Sequence, residues 1–347
     1  MLKKILTTLL IGCALFANAQ DIHFSQINET PLWLNPANAG MMNGYFRATA
    51  NYRSQWSAMG NAFQTMGASL DAAVLKTTKN KAYLGLGMLI FNDKAGVAKL
   101  GNTLGQIHIN AILKASDNSK ICGGMYVGFN QNTAKYGSLT FENQYDGKTL
   151  DNTMSSGENV GYLNFTTTDV GAGVNYEFSN AKVDMQRDDV FSLKVGGAVH
   201  HINQPIMRYS ANSSYRLPMR FVGQVESRID FKGSRASMLP SIIYLQQAKA
   251  NEITVGTHFM VRFKNGTKKT GAITETGLSF GIFYRVNDAV IPQFKLDLGK
   301  YALGLAYDIN TSKYKQATMG KGGLEIYLKI MSIDHALFQR KREHSIQ

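Results

Sequence analysis

Tyr301-Ala302-Leu303-Gly304-Leu305-Ala306-Tyr307-Asp308-Ile309-Asn310 places a large apolar side chain at every odd position and a small or polar one at every even position. A period of two is that of a β-strand, whose successive side chains point to opposite faces, so this segment has one greasy and one wet face. Residues 277–287 repeat it, with Leu278, Phe280, Ile282, Tyr284 and Val286 against Gly277, Ser279, Gly281, Arg285 and Asn287. Residues 252–264 do so again, with Ile253, Val255, Phe259, Val261 and Phe263 against Glu252, Thr254, His258, Arg262 and Lys264. A soluble sandwich alternates in the same way, so the choice of lipid rests on other features. Many segments run to ten or more residues, the length of a tilted membrane strand. Gly and small residues fill the wet faces, and Tyr45, Tyr83, Tyr284, Tyr301 and Tyr307 fall near strand ends, where outer-membrane barrels carry aromatic girdles.

The front of the chain supplies the third feature. Lys3 and Lys4 precede an apolar run from Ile5 to Phe16, and Ala17-Asn18-Ala19 stands before Gln20. That is a secretion signal, with cleavage expected between Ala19 and Gln20. Leu10-Ile11-Gly12-Cys13 also has the look of a lipobox, which would lipidate Cys13. The apolar run continues past it as Ala14-Leu15-Phe16, where a lipoprotein usually turns polar. Beyond the signal no stretch approaches the ~20 apolar residues of a transmembrane helix. An exported chain of amphipathic strands is expected in a bacterial outer membrane.

The expected fold is all-β: a transmembrane antiparallel β-barrel of about 14 strands with an N-terminal arm or plug. The strand segments fall near 44–58, 62–76, 82–92, 103–115, 120–131, 166–179, 189–201, 217–231, 235–247, 251–264, 273–286, 289–298, 300–311 and 321–330. The even number suits a single-chain bacterial barrel. Residues 132–164, rich in Gly, Asn and Ser, read as a long extracellular loop of the kind that carries binding, and 205–216 as a shorter one. Asn265-Gly266 and Asn287-Asp288 read as short periplasmic turns or tight hairpins. The organisation is then 1–19 signal peptide, 20–40 arm, 41–331 barrel and 332–347 polar tail. Pro31, Asn35-Pro36 and Gly40 keep the arm out of any central strand.

Net charge falls from +13 to +11 when Lys3 and Lys4 are removed with the signal. The basic residues are thinly spread apart from Arg340-Lys341-Arg342, and an exported protein rarely meets nucleic acid. Anionic outer-membrane lipid or an acidic partner explains the balance better. Only Cys122 remains after the signal, so neither an internal disulfide nor a cysteine metal cluster is available.

Asp21-Ile22-His23-Phe24-Ser25-Gln26, with Pro31-Leu32-Trp33-Leu34-Asn35-Pro36-Ala37-Asn38-Ala39-Gly40 and Tyr52-Arg53-Ser54-Gln55-Trp56, closely resembles the opening of the PorP/SprF family. Gly196-Gly197-Ala198-Val199-His200-His201-Ile202-Asn203-Gln204-Pro205 is similar to a later segment of that family. So are Tyr284-Arg285-Val286-Asn287-Asp288-Ala289, Tyr307-Asp308-Ile309-Asn310-Thr311-Ser312 and Gly322-Gly323-Leu324-Glu325. The matches span nearly the whole mature chain in order; the tail after Met331 departs from the pattern. The resemblance implies an outer-membrane protein of Bacteroidota tied to the type IX secretion system. Such proteins accompany a large secreted cargo with a type B C-terminal domain, such as a gliding adhesin, and support its export or surface attachment. Other secretion or gliding components are implied as further partners, and no cofactor. The residues by themselves give only an outer-membrane barrel. The competing expectation is a transporter or porin-like channel with an N-terminal hatch.

Asn35, Pro36 and Ala37 are candidates for an arm folded into the lumen; a similar Asn-Pro-Ala occurs in the hatch of long-chain fatty-acid transporters, which are also fourteen-stranded. A plain turn explains the same residues, with Asn bonding its own backbone and Pro fixing φ. Arg53 and Gln55 share one strand face and Tyr52 and Trp56 the other, so Arg53 is placed to hold the arm by charge-assisted bonds. Arg285 and Glu325 are expected in the lumen, paired with opposite charges. His200 and His201, as adjacent strand residues, are expected on opposite faces and thus unable to chelate one metal together. No nucleophile elbow, phosphate loop or metal spacing is visible, and no enzyme activity is expected.

Overall fold

A computed structural model describes residues 21–332 apart from 56–62, 78–79, 97–99, 135–139, 146, 152, 158–163, 181–189, 209–213, 265–275 and 313–320. The signal segment with Ala19 and Gln20, the Cys13 lipobox, Trp56, the Asn265-Gly266 turn and the tail from 333 lie outside the described residues. Fourteen strands follow the arm. They are β1 (Phe46–Gln55), β2 (Phe63–Val74), β3 (Ala82–Ala95), β4 (Leu100–Lys114), β5 (Ser119–Thr133), β6 (Phe165–Ser179) and β7 (Phe191–His200). The second half comprises β8 (Arg220–Asp230), β9 (Ala236–Gln247), β10 (Ala250–Lys264), β11 (Thr276–Arg285), β12 (Ala289–Leu298), β13 (Tyr301–Asn310) and β14 (Lys321–Met331). Each pairs antiparallel with its sequence neighbours, and β1 closes on β14 from Arg47↔Met331 to Gln55↔Gly323. Closure leaves no unpaired edge, the condition for a sheet in hydrocarbon.

The alternation decides which side each residue takes. Along β13, Tyr301, Leu303, Leu305, Tyr307 and Ile309 point out and stay exposed, while Ala302, Ala306 and Asp308 are buried inside. Phe280 and Ile282 of β11 and Phe259 and Val261 of β10 extend the same outer belt, each more than half exposed. Water does not tolerate an apolar surface that encircles a molecule; lipid does. No helix among the described residues is long and apolar enough to cross a membrane, so the strands do the crossing. Tyr83 differs from expectation: its odd position on β3 points inward and it is buried, so it belongs to the core and not to a girdle.

Two prolines interrupt the ladder. Pro240 of β9 pairs with Thr257 of β10, but toward β8 the pairs between Glu226↔Ser241 and Ile229↔Met238 are missing. Pro292 of β12 pairs with Ile282, and toward β13 the pairs between Val290↔Ile309 and Gln293↔Ala306 are missing. Proline has no N–H to donate across the seam, so each gap lies on the side where that donor would have pointed.

The two barrel ends differ. The start of β1 and the end of β14 share one end with connections such as 75–81, 115–118 and 299–300. The opposite end carries the two longest, 134–164 and 201–219. Asn287-Asp288 makes a tight hairpin at this long-loop end, with Asn287 at φ +62°.

Candidate functional site

The arm runs down the inside of the barrel. Asp21 lies at the long-loop end beside Gln247, and Gly40 at the other, where its N–H donates to Asp71 at 2.9 Å. Its local structure is a chain of tight turns set by the two prolines. Pro31 opens a single α-turn, Pro31–Leu34, at a position whose N–H would go unused. Asn35 then caps a 3-10 turn, Pro36–Asn38, by accepting from the Ala37 N–H at 2.9 Å. Asn38 reaches back to the Pro31 carbonyl at 2.9 Å. The turn reading of Asn35-Pro36-Ala37 thus describes half of what Asn35 does.

The other half faces the wall. Asn35 is fully buried, and its Nδ2 donates to the Val174 carbonyl (3.2 Å), the Asn175 Oδ1 (3.1 Å) and the Gly197 carbonyl (3.2 Å) on β6 and β7. Asn175 returns a bond to the Asn38 side chain at 3.0 Å. Asn110 of β4 donates to the carbonyls of Ala37 (2.7 Å) and Ala39 (2.9 Å). The backbone fits this closely only because β5 carries Gly124: a Cβ there would stand 2.7 Å from the Ala37 nitrogen. Gly40, at φ +68°, makes the bend that leaves the lumen.

Apolar contacts fill the space between these clamps. Phe24, Leu32, Trp33 and Leu34 pack with inward-facing Leu89, Phe91, Leu104, Val222 and Ile243. Phe24 and Phe91 lie 4.9 Å apart, and Trp33 meets Phe91 edge-on at 5.5 Å. The Arg220 guanidinium sits 4.0 Å over the Trp33 ring, a cation–π contact shielded from solvent.

Charge clusters fix the upper half of the arm. Uppermost, Asp21 meets His201 Nε2 at 2.6 Å and Arg220 at 3.0 Å, while His201 Nδ1 meets Asp169 at 2.8 Å. Burial pushes the Asp21 carboxyl up, but His201 and Arg220 overcome it and hold it well below the usual carboxylate range. Burial would likewise lower His201, yet Asp21 and Asp169 outweigh it and raise the imidazole to about 9. Next, Glu325 accepts the backbone N–H groups of Ser25 (2.6 Å) and Gln26 (3.1 Å). Arg53 and Arg285 converge on Asp308 at 2.9 and 2.8 Å, the Ser25 hydroxyl donates to Asp308, and Arg53 donates to the His23 carbonyl. Lowest, Glu29 bridges Lys295 and Lys329, each at 2.9 Å.

Among the residues singled out from sequence, Asn35, Pro36, Ala37, Arg53, Arg285 and Glu325 all lie in this buried contact. Glu325 spends itself mainly on arm amides, with Arg53 Nε no closer than 3.9 Å. Gln55 is half-buried further along β1, and none of the arm's hydrogen bonds among the described residues reaches it. His200 and His201 correct the expectation of opposite faces: both are buried, with ring centroids 6.3 Å apart. His201 lies beyond the end of β7 at φ +57°, so strand alternation no longer governs it. Asp21, Glu29, Asp71, Asn175, Arg220 and Asp308 were not singled out. Asp308 and Asn175 were findable, since each sits on the wet face of an alternating strand.

Residues 16–329 match the family described as "Type IX secretion system membrane protein PorP/SprF". No curated protein matches the chain. Solved structures similar in outline include a TodX monoaromatic hydrocarbon channel mutant, with TM-score 0.48 and 8% identity over 88% of this chain and 94% of that one. The CymD monoaromatic hydrocarbon channel gives TM-score 0.44 and 10% identity over 89% and 94%. The P. putida toluene transporter TodX gives TM-score 0.43 and 8% identity over 87% and 93%.

Proposed function

The chain belongs to the PorP/SprF family of type IX secretion system membrane proteins, and on that premise we propose that this outer-membrane barrel receives a large secreted cargo at its long-loop rim. Single-chain bacterial barrels carry short periplasmic turns and longer extracellular loops, which puts loops 134–164 and 201–219 outside the cell and both ends of the wall in the periplasm. The cargo is expected to be adhesin-like with a type B C-terminal domain, and the role to be export, surface retention or both.

The observation that supports binding over conduction is the filling of the bore. The arm's side chains from Phe24 to Met42 are almost all buried, and its charges are matched by the wall. A diffusing solute would have to break those pairs, whereas a protein docking from outside meets the rim directly. The rim offers apolar contact: Tyr145, Leu150 and Met154 of the first loop and Tyr215 of the second are exposed. Glu142–Gln144 forms a 3-10 turn, and Tyr145 bridges Leu150, so part of the long loop holds a defined shape.

The test is gentle extraction from outer membranes with a C-terminal affinity tag, followed by mass spectrometry. A very large secreted protein with a type B C-terminal domain should copurify, and Tyr145→Ala with Leu150→Ala should reduce its recovery without affecting the barrel. A clean barrel, under conditions that keep other outer-membrane complexes intact, refutes the reading. A defect in solute uptake without a companion protein would favour the hatch-gated transporter.

A further inference from the structure

At the periplasmic mouth a band of lysines lines the inner wall. Lys114 of β4, Lys120 of β5 and Lys194 of β7 occupy inward positions, and Lys76 joins them from the connection after β2. The register puts Lys114 directly opposite Lys120, then Lys120 opposite Glu177 and Glu177 opposite Lys194. Lys120 meets Glu177 at 3.1 Å and Lys194 meets Glu226 at 3.0 Å. That leaves Lys76 and Lys114 with carbonyl partners only among the described residues: Lys76 donates to Met42 (2.6 Å) and Gly44 (2.9 Å), Lys114 to Thr77 (2.8 Å). Both ammoniums sit over the Tyr83 ring, 5.6 and 5.9 Å from its centroid.

Like charges directly across a strand pair are destabilising, and this band holds such a pair beside a third ammonium. Burial, with Lys120 and Lys114 nearby, pushes the Lys76 ammonium down to about 8. The site is nevertheless open to solvent: Lys120 and Lys194 are 25% and 21% exposed. Beside it Met41, Tyr83, Ile112 and Cys122 belong to one buried apolar cluster. Among the described residues this band carries more ammoniums than carboxylates, and a surplus of cations attracts anions.

We propose that this lysine band at the periplasmic mouth docks an acidic peptide segment of a partner protein, with Lys76 and Lys114 as its carboxylate anchors. The arrangement favours a peptide over a compact anion. The ammoniums are point charges carried on β4, β5, β7 and the connection after β2, and with strands roughly 4.8 Å apart the band is wider than one compact anion. Fixed carboxylates at Glu177 and Glu226 alternate with them, which suits an extended ligand bearing several separate charges. The inference is independent of the cargo reading, since it concerns the opposite end of the barrel.

The test uses the full-length barrel in nanodiscs and a dye-labelled decaglutamate peptide, read by fluorescence anisotropy at low and physiological salt. The wild type should bind in a salt-sensitive manner, and the double variant K76Q/K114Q should bind about tenfold more weakly. Lys249→Gln, at the other rim, should bind like the wild type. Trp33 emission and heat-modifiable gel mobility certify that each variant keeps its fold; Lys114→Gln alone serves if the double variant loses it. Equal binding by wild type and lysine variant overturns the proposal, as does absence of binding. Displacement of the peptide by millimolar inorganic phosphate would overturn the peptide assignment in favour of a phosphate group.

Discussion

Asn35→Asp changes a single atom on the arm and reverses its chemistry. The amide Nδ2 donates to three acceptors on β6 and β7, at 3.1–3.2 Å, in a fully buried position. A carboxylate puts a negative oxygen against those same three oxygens. Each lost bond is worth about 1 kcal/mol, and an unpaired buried charge adds several more. The carboxyl can escape the charge by keeping its proton, which restores one donor; the expected cost of the variant is then about 3–5 kcal/mol. Asn35→Ala loses the bonds without the reversal and should cost less, about 2–3 kcal/mol. The damage should fall on arm seating, since the strand pairing of the wall involves none of these side-chain atoms. The chain has two tryptophans, so a Trp56→Phe background leaves Trp33 as the sole emitter. Urea titration in micelles then follows arm release by the red shift of Trp33, and heat-modifiable mobility follows the wall. The Asp variant should release its arm at clearly lower urea than the Ala variant, with the wall transition nearly unmoved. Equal midpoints for Asp and Ala, or an Asp variant as firm as the parent, would refute the described clamp.

Three further outcomes are expected. His201 rises from an ordinary 6.5 to about 9, so its contribution is complete below 6.5 and is lost as pH climbs through 9; Asp21 is depressed from 3.8, so its contribution is lost only in acid. The Trp33 urea midpoint should therefore fall between pH 6.5 and 9, and His201→Gln should abolish that decline; a flat parent profile contradicts the pairing. Glu29→Gln leaves Lys295 and Lys329 facing one another without their shared carboxylate, at a cost of about 3 kcal/mol to arm seating in the same assay. Leu305→Arg places a charge in the middle of β13 on the lipid side and should cost about 2–4 kcal/mol in unfolding from vesicles, whereas an unchanged midpoint would place Leu305 outside the hydrocarbon belt.

The wall was legible because lipid outside and a crowded bore inside impose one rule on every strand. A single period of two assigns Leu303 outward and Ala306 inward with no knowledge of partners. Strand ends obey no such rule, which is why β1 begins at Phe46, later than its alternation suggests, and β5 runs on to Thr133. The arm was legible as an interruption, through its prolines, but its contacts were not. Arg53, Arg285 and Glu325 announced themselves as charges on wet faces; their actual partners, Asp308 and the amides of Ser25 and Gln26, depend on which strands become neighbours across the bore. His201 was misplaced because one residue at positive φ ends the alternation, and nothing in a His-His pair signals that turn.

The arm enters at the long-loop rim and leaves at the other before β1 begins, so residues 21–40 cross the full height of the cylinder ahead of the first strand. Its partners come from early and late strands alike: Asp71 on β2, Asn175 on β6, Lys295 on β12 and Glu325 on β14. Threading so many charges through a finished tube would strip them of water one after another. Wrapping the sheet around a chain already lying on the axis avoids this, because each strand brings its own counter-charge as it arrives. Glu325 takes the amides of Ser25 and Gln26 on the same strand that pairs with β1. The strand that closes the cylinder is therefore also one that seats the axle.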